Sequence, residues 1–145
     1  MINSILKRYI GISFVVALVS CGDRTEKIPS GHEYATQAAP DGLNRAFAWV
    51  PELSGGLGAT ISQPYQVWIQ SQRAGLEAKK LLVFEADKTD GVRLLWMTRS
   101  RLEICYAEAQ IGQFRNRFLA LDTKNQRVVD EIEIVLKRVQ KLTDC

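Results

Sequence analysis

The sequence predicts a mainly β protein, a small antiparallel β-sandwich-like domain of six to eight short strands, with a C-terminal helix as the alternative for its last segment. Three observations carry this expectation. Large apolar side chains recur at every second position in separate runs, as in Tyr65-Val67-Ile69, Val92-Leu94-Trp96 and Leu102-Ile104-Tyr106, the period of a strand with one buried face. Pro, Gly and Asp-Gly signals separate these runs at strand-like intervals. The patterned part spans residues 45–145, a length suited to one core.

The first residues have a different logic. Lys7 and Arg8 form a positive start, Tyr9 to Val19 is an almost unbroken apolar run, and Leu18-Val19-Ser20-Cys21 closes it. That order is the layout of an export signal, helical in the membrane. Three other readings compete: a transmembrane helix, for which the run is well short of the roughly 20 residues needed, a signal cut without lipidation, and a buried helix of a cytosolic fold, against which the polar sequence after Gly22 speaks. The tetrad Leu18-Val19-Ser20-Cys21 resembles the lipobox of bacterial lipoproteins. The resemblance implies a signal peptide at 1–20, a diacylglyceryl thioether on Cys21 and cleavage between Ser20 and Cys21. A thiolate attacks carbon more readily than a hydroxyl does, and two or three acyl chains hold a protein on a membrane where one does so only reversibly. Gly22 in place of aspartate implies the outer membrane, facing the periplasm, if the envelope is Gram-negative.

Charge narrows the partners. The chain has 19 basic and 16 acidic residues, and losing Lys7 and Arg8 leaves 17 against 16, a net +1. This near-neutral balance points away from nucleic acid, which requires a clustered positive surface. Residues 21–44 carry Pro29, Ser30, Pro40 and Asp41, few large apolar residues and no period. They read as a flexible tether holding the domain about 25 Å from the lipid on average. The only histidine, His32, falls in it.

In chain order, Ala46 to Val50 reads as a first strand ended by Pro51, and Ser54-Gly55-Gly56-Leu57-Gly58 as a loop, since no Gly-Lys-Ser/Thr and no helix follow to make it a phosphate cradle. Ile61 to Gln70 reads as a strand in which Gln66, Trp68 and Gln70 share a watery face, making Trp68 either a contact point or a covered tryptophan. Lys80 to Ala86 and Val92 to Arg99 flank Asp87-Lys88-Thr89-Asp90-Gly91 and predict a hairpin. Its acids lack the ligand spacing of a calcium loop. Arg101 to Ala107 alternates with Leu102, Ile104 and Tyr106 inward and Cys105 outward. With Cys21 lipidated, Cys105 and Cys145 are an even pair that permits a disulfide in an exported protein, unless Cys145 is a loose end. Ile111 to Leu121 and Arg127 to Val139 fit both helical stripes and strand alternation; their Val and Ile content favours strands joined by a turn at Asp122 to Gln126.

Catalytic constellations are scarce. Glu131 and Glu133 share a strand face, but same-face acids on an edge strand are usually solvated. His32 has nothing to hold it as a base, and one histidine with two spaced cysteines does not make a zinc site. Arg93, Arg99, Arg101, Arg115 and Arg117 either form a basic stripe for an acidic partner or a solvated face interleaved with acids. The expectation is therefore a membrane-anchored envelope lipoprotein acting as a non-catalytic binding or assembly module, with another envelope protein as partner and no cofactor, metal or nucleic acid. The alternative is a small envelope enzyme or inhibitor.

Overall fold

The computed structural model describes residues 26–52, 64–73, 79–122, 124–125 and 127–145. Their strands are β1 (Gly31–Ala38), β2 (Asn44–Pro51), β3 (Tyr65–Ser71), β4 (Lys80–Asp87), β5 (Arg93–Thr98), β6 (Arg101–Tyr106), β7 (Gln110–Phe114), β8 (Arg117–Asp122) and β9 (Arg127–Arg138). Sheet A runs β1-β2-β3-β4-β7 and sheet B runs β5-β6-β9-β8. Every pairing is antiparallel except β6 with β9, which is parallel. The fold is thus mainly β, in two stacked sheets, as the alternation predicts.

The two inner faces make one core. Ala46, Ala48, Val67, Ile69, Val83, Phe84 and Ala86 from sheet A meet Val92, Leu94, Leu102, Ile104, Phe118, Ala120, Ile132 and Ile134 on the sheet B side. Each large side chain so buried contributes roughly 1.5–3 kcal/mol relative to exposure. Residues at odd and even positions therefore have opposite fates, Leu102 and Ile104 inside and Arg101 and Glu103 outside.

Several expectations need correction. Residues 31–38, placed in the tether, form edge strand β1, paired with β2 from Gly31↔Pro51 to Ala38↔Arg45. Its polar composition misleads because the strand is held by backbone bonds and turns only Ala35 onto the core. The Pro40-Asp41-Gly42 group is the β1–β2 turn: Gly42 sits at φ 70° and the Ala39 carbonyl accepts its N–H. By contrast, Asp87 to Gly91 is no hairpin. β4 and β5 lie in different sheets, so the Asp-Gly turn, with Gly91 at φ 134°, carries the chain across the sandwich. Crossing lets both flanking strands bury their apolar faces. Ile111 to Leu121 is two strands, since the chain changes sheets at Arg115-Asn116. Arg127–Arg138 is a strand, and the C-terminal end adds only a 3₁₀ turn at Leu142–Asp144. The glycine-rich loop 54–58 and residues 61–63 lie outside the described residues.

Gly31 is where the strap before β1 is most tightly seated. A Cβ added there would lie 2.3 Å from the Val50 carbonyl oxygen and 2.8 Å from Pro51 Cα, backbone atoms that cannot swing aside. Gly31→Ala is expected to destabilise by about 1–3 kcal/mol. Exchange of the Glu52 amide, which donates to the Ser30 carbonyl, should accelerate in the variant. Unchanged exchange would show that the first β1 pair tolerates a side chain.

Candidate functional site

A second apolar cluster lies on the outer face of sheet A. Phe47, Trp68 and Leu82 form one cross-strand row, with Ile28 and Trp49 packed against it. Trp68 is only 2% exposed, and its Nε1 donates to Gln66 Oε1 at 3.1 Å. The contact-point reading of Trp68 is therefore wrong. The strap carrying Ile28 supplies cover that strand periodicity cannot reveal.

The outer face of sheet B is mixed. Register places Arg101, Glu133 and Arg117 in one row across β6, β9 and β8. Arg101 pairs with Glu133 at 3.5 Å and Arg117 with Glu131 at 3.2 Å. These residues, with Phe114 and Asn116, border an open groove of about 790 Å³. The two glutamates do share a face, but on interior strand β9 rather than an edge, and flanking arginines offset their mutual repulsion. Such exposed pairs are worth up to about 1 kcal/mol each.

The expected basic stripe is dispersed. Arg115 lies at the corner between the sheets and pairs with Glu26 at 2.6 Å. Arg93 sits on β5 opposite Cys105. Arg99 lies in the β5–β6 turn, beside Asp41, Arg73 and Asp130 in a smaller groove. Only Arg101 and Arg117 share a row. The mixture of signs follows from cross-strand pairing, which sequence order does not display.

Cys105 is on the outer face of sheet B, as the alternation predicts, yet fully buried, because it is bridged to Cys145 with Cα atoms 6.1 Å apart. Glu103 lies beside the bridge and takes Lys137 at 3.2 Å. The three residues are close enough for a metal cage, but both sulfurs are spent in the disulfide and one carboxylate is left. Cys21 lies outside the described residues.

Among the described residues, two titrating groups are displaced from their ordinary values. Burial, reinforced by Tyr34 and Asp90, pushes the Tyr65 hydroxyl up; its ring meets Tyr34 edge-on with centroids 5.3 Å apart. The Lys124 backbone N–H, at 2.8 Å, holds the Asp122 carboxyl down, helped by the Asn125 side chain. Both have structural causes, an aromatic contact and the β8–β9 turn. Neither lies in the grooves described.

Among the described residues, one margin of sheet B is open. β8 ends sheet B, and no described strand pairs with its far side. Its Leu119 is 41% exposed, Leu121 lies two residues along the same face, and Val128, opposite Leu121, is 53% exposed. On the other margin β5 is closed against β1, where Trp96 Nε1 donates to the Gln37 carbonyl at 3.2 Å. The fold and site together define a two-sheet β domain with an apolar, unpaired margin at β8. Compared with known proteins, the chain matches no family model, and no curated protein or solved structure matches it.

Proposed function

We propose that this chain is a lipid-anchored envelope protein, attached through Cys21 after removal of residues 1–20, whose β domain is a non-catalytic binding or assembly module for another envelope protein. The lipobox-like tetrad supports the anchor, and the open β8 margin with Leu119, Leu121 and Val128 supports the binding role. An unpaired strand edge offers backbone donors and acceptors to an added strand, while neighbouring apolar side chains supply specificity. The acids beside the larger groove, Glu131 and Glu133, are tied to arginines, an arrangement that favours a contact surface over acid–base chemistry.

The test has two parts. Cys21→Ala should abolish labelled palmitate incorporation and leave the signal at 1–20 uncleaved, seen as the mass of the full chain. Leu119→Lys combined with Val128→Lys should keep the lipid and the thermal unfolding profile but lose the proteins captured from detergent-solubilised envelopes. Labelled palmitate that persists in the Cys21 variant, or is never incorporated by the parent, would sink the anchor, and undiminished capture of the same proteins by the lysine variant would sink the β8 surface.

A further inference from the structure

Resting on the lipid-anchor reading, the geometry points to an interaction surface the sequence does not suggest: the outer face of sheet A lies against the lipid headgroups, and the domain is held there in one orientation. The strap is bound to that face from Glu26 onward. Glu26 Oε2 accepts the Leu82 backbone N–H at 2.9 Å, and its Oε1 accepts Arg115 Nη2 at 2.6 Å. Both partners lie at a bulge in β4, Leu82 as its neighbour and Arg115 docked on it: Val83 is the extra residue between Leu82, opposite Trp68, and Phe84, opposite Val67, and its carbonyl accepts the Arg115 N–H. A bulge leaves backbone groups that the ladder does not satisfy. The strap and the β7–β8 corner satisfy them. Ile28 then covers Trp68, and Ser30 accepts the Glu52 N–H at 2.7 Å.

Chain length sets the consequence. From Cys21 to Glu26 is 26 − 21, or five, residue steps, a reach of at most about 17 Å even when fully extended. The spacing of about 25 Å expected for a free linker of roughly 20 residues is therefore replaced by a short leash. The leash ends on sheet A. A lipid at Cys21 holds that face near the headgroups, and the stacked sheet B, about 10 Å further on, faces outward. The β8 margin is then turned toward the compartment in which a partner would be met.

The lipidated protein in vesicles tests this. A fluorophore is placed at Gln113→Cys, on β7 opposite Glu85, or at Met97→Cys, 57% exposed on β5. Headgroup-attached nitroxide lipid should quench the Gln113 site several-fold more than the Met97 site. Inserting about a dozen Gly/Ser residues after Gly22, which adds roughly 20 Å of average reach, should erase the difference. Equal quenching at both sites, or a difference that survives the insertion, overturns the proposal. The mass of the N-terminal peptide separates the two readings: without a lipid the anchor itself fails, whereas with a lipid and equal quenching only the orientation fails.

Discussion

Replacing Cys145 with serine is expected to lower the unfolding free energy by about 4 kcal/mol, the chain-entropy value for a loop of this size. The bridge joins residues separated by 40 positions. It fastens the last turn, Leu142–Asp144, to the outer face of β6, where Cys105 would otherwise stand next to Glu103 and Lys137. Against the total of 5–15 kcal/mol typical of a domain, this is a large share. Thermal unfolding should fall by roughly 15–20 °C. Reducing agent should reproduce the fall in the parent protein and leave the variant unmoved. A variant that melts with the parent would mean that the open chain already holds its tail near β6, so that the cross-link removes little freedom.

Legibility differed among the elements for physical reasons. β3, β5 and β6 announce themselves because each has one face in a shared core, and alternation is the direct record of that. β1 does not, because an edge strand with only Ala35 inward leaves no apolar period, and its backbone bonds to β2 are invisible in side-chain chemistry. The parallel pairing of β6 with β9 joins Arg101 to Glu133, a relation that local signals cannot carry. The Asp-Gly turn was readable as a turn but not as a crossing, since glycine supplies positive φ to either. Site residues followed the same division. Cys105 and Trp68 belong to outer faces by period alone, but the cover that Ile28, forty residues earlier in the chain, gives Trp68 does not show in that period. The β8 margin does not show in the sequence, because Phe118, Leu119, Ala120 and Leu121 read as continuous apolar sequence. Only sheet order tells which of them has no neighbour.

That same run supports the second large effect. Phe118→Ala should cost about 3–5 kcal/mol, the range for emptying a buried aromatic site, while Leu119→Ala should stay within about 0.5 kcal/mol. Phe118 is wholly buried in the core opposite Ile132, and Leu119 is 41% exposed one residue later. Neither neighbour can fill the space Phe118 leaves: Ala120 is too small, and Leu119 would have to reverse the face of the strand. Phe114→Ala separates this arrangement from the helical alternative. A helix with a stripe of Ile111, Phe114 and Phe118 would bury all three and make both phenylalanines costly. Here Phe114 is 39% exposed at the end of β7, so its loss should be well below that of Phe118. Urea unfolding of the three single variants measures this directly, and comparable losses for Phe114 and Phe118 would contradict the change of sheet at Arg115-Asn116.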